Sequence, residues 1–246
     1  MKLSKVFGIH AAQSALLYSP QKITRAWVDT QRQDQRLESV IESLTHQSIF
    51  PEKIERKKLN QLAESTNHQG IVLEIQLPDT FNENDLKSAV ENLTEMALFL
   101  ALDNVQDPHN LGACLRTADA TRVHGIIITK DNAVGLTPTV CKIASGAAET
   151  VPVYVVTNLA RTLRWLKTEG IWIIGTAGEA EKTFYQANFS IPLTLIVGAE
   201  EKGMRRLTRE QCDLLVKLPM LGTVQSLNLS VATGVLLYEI LRQRQI

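Results

Sequence analysis

Three short stretches in the second half of the chain hold the side chains best suited to chemistry. The first is Asp107-Pro-His-Asn110-Leu-Gly-Ala-Cys-Leu-Arg116. Pro108 holds Asp107 extended, Asn110 can cap a following helix, and Arg116 projects from that helix's first turns. The second is Gly198-Ala-Glu200-Glu-Lys-Gly203, a tight turn carrying a fixed carboxylate. The third runs from Leu218 to Ser230 and sets Ser226, Asn228 and Ser230 around a helix amino terminus. Free amides and the positive end of the helix dipole suit that place to a carboxylate or phosphate. Alone, each stretch also reads as a cap, a turn or a helix start.

These residue types point to binding and alignment of a polar, anionic substrate, and other chemistries are disfavoured. Cys114, Cys141 and Cys212 form no Cys-x-x-Cys pair, and the five histidines have no metal-ligand spacing, so no metal is expected. Gly198 to Gly203 lacks the Gly-x-Gly-x-x-Gly of a dinucleotide site. Lysine plus arginine equals aspartate plus glutamate, 26 of each. A nucleic-acid partner would therefore have to meet a local basic face. Candidates are Lys202, Arg205, Arg206 and Arg209, and Lys53, Arg56, Lys57 and Lys58, though either group also reads as a solvated helix face. Lys2 and Lys5 precede a mildly apolar stretch that His10, Gln13 and Ser14 interrupt, which argues for an amphipathic first helix over a signal peptide. No run reaches the roughly 18 apolar residues of a membrane span, and a cytoplasmic protein is expected.

The elements that must position these stretches follow from periodicity. Residues 1–76 mix strand patterns at 23–30 and 70–76 with helical spacing at 34–45 and 51–65, a small α/β unit. Residues 77–94 are rich in Pro, Asn and Asp and read as a connection. Residues 95–246 carry apolar strands at 97–102, 125–129, 151–156, 171–176, 193–198 and 214–218, with helices between most of them and a last helix at 228–243. That alternation predicts a mostly parallel sheet covered on both faces. The three polar stretches then follow strand ends, where ligands bind in such sheets.

In this order and spacing, Asn110-Leu-Gly-Ala-Cys-Leu-Arg116-Thr-Ala, Ile196-Val-Gly-Ala-Glu200-Glu-Lys-Gly203 and Leu218-Pro-Met-Leu-Gly-Thr-Val-Gln-Ser226-Leu-Asn228-Leu-Ser230 resemble the three motifs of the SpoU RNA 2′-O-methyltransferases. The resemblance covers roughly Leu98 onward. Val6-Phe-Gly-Ile-His-Ala is similar to the start of the RNA-binding domain that precedes the catalytic domain in bacterial members. Gly175-Thr-Ala-Gly-Glu, Gly203-Met-Arg-Arg-Leu-Thr-Arg-Glu and Val231-Ala-Thr-Gly make the likeness greatest to members that methylate a guanosine of large-subunit (23S) ribosomal RNA.

The resemblance implies what periodicity does not: an α/β trefoil-knot methyltransferase domain, a homodimer, S-adenosyl-L-methionine as cofactor and ribosomal RNA as partner. It places the cofactor against Thr176, Gly178, Gly198, Leu218 and Leu227. It makes Asn110, Arg116, Glu200, Ser226 and Asn228 the catalytic set, with Glu200 fixing Arg116 or the subunit interface. Arg116 matches an arginine assigned to activating the 2′-hydroxyl. A guanidinium keeps its proton, so the expected role is to bind RNA phosphate or steady the developing alkoxide. A transfer RNA enzyme and a non-catalytic ribosome assembly factor are the competing readings.

Overall fold

The computed structural model describes residues 2–18, 20–32, 34–200 and 202–244. The chain divides into two units, Met1–Asp79 and Thr80–Ile246.

The first unit comprises β1 (Lys2–Phe7), α1 (Ile9–Tyr18), a 3-10 turn at Pro20–Lys22, β2 (Ile23–Asp29), α2 (Gln35–His46), β3 (Glu52–Ile54), α3 (Arg56–Ala63) and β4 (Ile71–Leu77). Its strands lie in the order β1-β4-β2-β3. The apolar strand β4 pairs antiparallel with both β1 and β2, while β3 runs parallel to β2. Two sequence expectations change here. The opening residues are a strand before they are a helix, because pairing along β4 outweighs their weak helical pattern. The helix expected over 51–65 gives up Glu52–Ile54 to the edge of β2 and starts at Arg56.

The second unit begins with α4 (Glu83–Glu91), inside the stretch read as a connection. Asn82 and Asp85 form a capping box and Leu86 is buried in this unit's core, which is why the segment is ordered. There follow β5 (Leu98–Asp103), α5 (Pro108–Ala120), β6 (Gly125–Thr129), α6 (Pro138–Ala144), α7 (Ala147–Thr150), β7 (Val153–Val156), α8 (Leu159–Thr168), β8 (Trp172–Thr176), β9 (Lys182–Thr183), a 3-10 turn at Phe184–Gln186, β10 (Leu193–Gly198), α9 (Arg206–Arg209), β11 (Leu214–Lys217) and α10 (Leu229–Gln243). The helix expected over 137–148 is split into α6 and α7 by Ser145 and Gly146, both at positive φ.

The seven strands are all parallel, in the order β7-β6-β5-β10-β8-β11-β9. Alternation along them builds two cores. Leu98, Leu100, Leu102, Ile126, Ile128, Leu193 and Leu195 pack under α5, α6, α7 and α10, whereas Phe99, Ala101, Ile127, Ile173 and Ile196 pack under α4 and α8. Burial on both faces is why these strands read as continuous apolar runs.

Candidate active site

Strands β5, β10, β8 and β11 are consecutive neighbours and point the same way, so the segments leaving their carboxyl ends gather at one edge. Their described residues are 104–107, 199–200 with 202–205, 177–181 and 218–228, which carry the polar stretches singled out above.

Glu200 is the hub. Its Oε1 accepts from Asn110 Nδ2 at 3.0 Å, from Asn228 Nδ2 at 2.6 Å and from the backbone N–H of Leu229 at 3.2 Å. Asn228 Nδ2 also donates to Asn110 Oδ1 at 3.0 Å, which closes a triangle between the three stretches. Asn228 Oδ1 faces the other way and caps α10, accepting from the N–H groups of Ser230 and Val231 and from the Ser230 hydroxyl. One side chain thus starts a helix and joins the network. The carboxylate sits at the positive end of the α10 dipole, where a negative charge is favoured.

Asn110 does this as a buried residue within α5 and not as its cap. Asp107 takes the cap, its Oδ1 accepting from the N–H of His109 at 2.9 Å, with Pro108 in the first turn. The close approach expected at Gly112 is made by α6. A Cβ there would lie 2.6 Å from that of Ile143.

Arg116 stands apart. It lies on α5 about 9 Å along the axis from Asn110, is exposed, and makes no ion pair or hydrogen bond among the described residues. No contact joins Glu200 to Arg116 among the described residues; the partners of Glu200 are the two asparagines and the Leu229 N–H.

The five residues expected to hold a cofactor do converge. Thr176, Gly178, Gly198, Leu218 and Leu227 line one cleft of about 780 Å³, together with Glu200 and Ser226. Thr176 is held by its hydroxyl, which donates to the Ile196 carbonyl. At Gly198 the missing side chain serves loop closure: a Cβ would lie 2.2 Å from the Gly203 carbonyl carbon. The Gly203 N–H returns to the Ala199 carbonyl at 2.8 Å, with Gly203 at φ 61°. A second, smaller cavity of about 300 Å³ adjoins the cleft and shares Ala199, Glu200 and Leu229 with it. Asn110, Asp107 and Lys202 also line it.

One pair that shapes the loops of the site escaped the sequence reading. Asp103, wholly buried at the end of β5, accepts from Arg205 N at 2.8 Å and Nε at 2.7 Å and pairs with its Nη2 at 2.6 Å. This ties the segment after β10 to the neighbouring strand. The only hint in the sequence is an acid closing an otherwise apolar strand. Arg206 pairs with Glu210 and Arg209 with Glu179. Of the four cations offered as a phosphate face, three are thus engaged in ion pairs.

This constellation, on a parallel sheet with a cleft at its carboxyl edge, defines a class that comparison with known proteins identifies. The profile of the SpoU rRNA Methylase family matches residues 97–238, and that of RNA 2′-O ribose methyltransferase substrate-binding domains matches residues 5–81. The chain belongs to the SpoU rRNA methylase family. It is 51% identical over 240 residues to the 23S rRNA (guanosine-2′-O-)-methyltransferase RlmB of Shewanella oneidensis, covering 98% of this chain and 97% of the relative. The RlmB of Pseudomonas putida is 48% identical over 245 residues, 100% of this chain and 98% of that one. The fold matches the crystal structure of the SpoU methyltransferase AviRb from Streptomyces viridochromogenes in complex with AdoMet, with a TM-score of 0.65 at 22% identity, covering 98% of this chain and 90% of that one.

Proposed function

We propose that the protein transfers a methyl group from S-adenosylmethionine to the ribose 2′-hydroxyl of a guanosine in 23S ribosomal RNA. The observation that carries the reading is the joining of Asn110, Glu200 and Asn228 into one network beside the cleft lined by Thr176, Gly178, Gly198, Leu218 and Leu227. The activity of the RlmB relatives, matched along nearly the whole chain, supplies the substrate.

The cleft fits the cofactor. Its volume is in the range of small-molecule sites. A Cβ added at Gly178 or Gly222 would meet nothing within 4 Å, so backbone faces the cleft openly there. Leu218, Leu227 and Leu236 supply apolar walls for a flat base. When bound, S-adenosylmethionine supplies an electrophilic methyl on a sulfonium. The chain's residues align the acceptor: Asn110 and Asn228 are fixed by Glu200, and Ser226 lines the cleft beside them. Holding two reactants in line is worth about 7–11 kcal/mol of barrier. Arg116 cannot accept the hydroxyl proton. Its uncommitted guanidinium binds an RNA phosphate or the forming alkoxide, and the proton leaves to another group.

The exposed stripe Val231, Val235 and Tyr238 on α10 supports a homodimer, which would bring a partner to the site region and give Arg116 a setting one chain lacks. Residues 1–76 act as the RNA-binding domain, and 95–246 form a trefoil knot. The knot is supported by α10 packing back on α5 and by Arg244 reaching the carbonyls of Met96 and Ala97 at the start of β5. No helix among the described residues is long and apolar enough to cross a membrane, and a ribosomal RNA substrate supports a cytoplasmic location. No group of metal-ligating side chains occurs among the described residues, and the reaction proposed needs none.

Incubation with labelled S-adenosylmethionine and unmodified 23S ribosomal RNA, followed by mapping of the label, tests the function. Label on a guanosine 2′-oxygen is expected. Transfer to transfer RNA alone would replace the substrate, and binding without transfer to either RNA would leave an assembly factor. In the same assay, Arg116→Lys should lower kcat/KM by roughly 10- to 100-fold with cofactor affinity unchanged, since an ammonium cannot reproduce the planar fork. Near-normal activity would show that the fork is dispensable.

A further inference from the structure

The first unit contains a cavity of about 330 Å³ that the chemistry above does not use, walled by His10, Gln13, Arg32, Arg36 and Gln69 with Ile9. We propose that it is a phosphate pocket that grips the RNA backbone; this rests on the reading of the first unit as the RNA-binding domain.

Three separate segments build it, and its polar lining consists of hydrogen-bond donors or groups that can donate. No carboxylate of the described residues lines it. Gln69, at φ 51°, turns its side chain to the start of α1, where its Oε1 accepts from the N–H of Ile9 at 3.0 Å. That commitment of Oε1 leaves Nε2 as a donor. The next N–H groups of α1, on His10 and Ala11, have no acceptor within an α-helix's own pattern. Arg32 lies across the following turn: a Cβ at Gly70, itself at φ 81°, would come 2.7 Å from Arg32 Cδ. Only glycine admits the arginine stem there.

The turn is set from beneath by buried His68. Its Nδ1 accepts from the Gly70 N–H at 3.1 Å and its Nε2 meets Asn60 Oδ1 at 2.7 Å. One edge of the Arg32 fork is engaged, because Nε pairs with Asp34, which also caps α2. Its two terminal nitrogens have no partner among the described residues. The Arg36 guanidinium, in the first turn of α2 and exposed, has none among the described residues either. Two forks, an amide and a helix start facing one small cavity match the several oxygens of a phosphate. Since the molecule's net charge is zero, attraction for RNA has to be local, and this cavity concentrates it.

The test uses the full chain with Arg36→Gln, Arg36→Lys and Gln13→Glu, all at exposed positions. Filter binding to unmodified 23S ribosomal RNA is measured from 50 to 300 mM salt, alongside methyl transfer and calorimetric cofactor binding. Arg36→Gln should weaken RNA binding roughly tenfold and flatten the log–log salt dependence by about 0.7 to 0.9, one phosphate contact. Gln13→Glu should weaken it at least as much, Arg36→Lys should keep the slope, and cofactor affinity should stay at wild-type value. Unchanged affinity and slope in Arg36→Gln and Gln13→Glu would overturn the pocket while wild-type methyl transfer leaves the function standing. RNA binding with no methyl transfer by the wild type would sink the function and leave the pocket. Inorganic phosphate separates the sources: if millimolar phosphate stabilises wild type but not Arg36→Gln, and RNA binding is equal in both, the pocket serves a free anion and the RNA assignment falls.

Discussion

Glu200 illustrates how little of a site is visible in residue types alone. A carboxylate in a glycine-flanked turn offers a charge, yet in the fold its role is to be one oxygen shared by three donors. This makes a sharp distinction between two substitutions. Glu200→Ala leaves Asn110 and Asn228 without their anchor, and misplacement of aligned groups costs on the order of 100-fold in kcat/KM. Glu200→Gln keeps a carbonyl oxygen where all three donors meet and should retain most of the activity. Steady-state kinetics on the two variants, with cofactor binding as control, would expose the idea as wrong if Gln were as damaging as Ala. Arg116 teaches the converse. Its motif position was legible, but among the described residues its guanidinium meets no partner.

At the level of elements, the end of α10 is held as firmly as its start. Arg244 donates to the carbonyls of Phe189, Met96, Ala97 and Ile191, at 3.1, 3.0, 3.0 and 2.6 Å, and burial lowers its pKa. Gln243 adds bonds to Phe189 and Ala187. Arg244→Ala should destabilise the protein by about 2–3 kcal/mol, because several carbonyls lose a charged donor at once. Denaturant unfolding should show a lower midpoint with an unchanged slope. In the first unit, the β4 turn rests on His68, whose pKa lies below its ordinary 6.5. Burial is the main cause and the Arg56 and Arg32 charges add to it, against an opposing pull from Asp29. The unfolded chain then binds a proton that the folded one refuses, so His68's contribution is present above pH 6.5 and is lost as pH falls below it. Protection of the β4 amides against hydrogen exchange, taken relative to the intrinsic exchange rate at each pH, should fall as the pH drops below about 6.5. The effect should be weaker in His68→Gln.

For the whole molecule, an exactly balanced charge makes long-range attraction to RNA weak, and affinity has to come from discrete contacts. Binding of 23S ribosomal RNA should therefore weaken as salt rises, with a log–log slope near 0.7 to 0.9 per phosphate contact. A salt-independent affinity would contradict binding through phosphates. The two units divide the task in this reading: one carries the donor-lined cavity, the other the cleft and its network.

The parallel sheet was legible because its strands are buried on both faces and cannot avoid being continuously apolar. The three motif loops were legible because their spacing follows strand ends, and family resemblance tied them together. Edge elements were not. Lys2–Phe7 and Glu52–Ile54 are strands only because β4 and β2 offer them partners, a preference no local window contains. Asn110 likewise reads as a cap until Asp107 takes that place, and its true partner is 90 residues away in the chain. Residue types and order determined by themselves the class of sheet, the places where loops must gather and the polar groups available there. Which oxygen meets which amide, and which arginines remain free for a substrate, depended on contacts between distant segments, and only the tertiary structure could decide them.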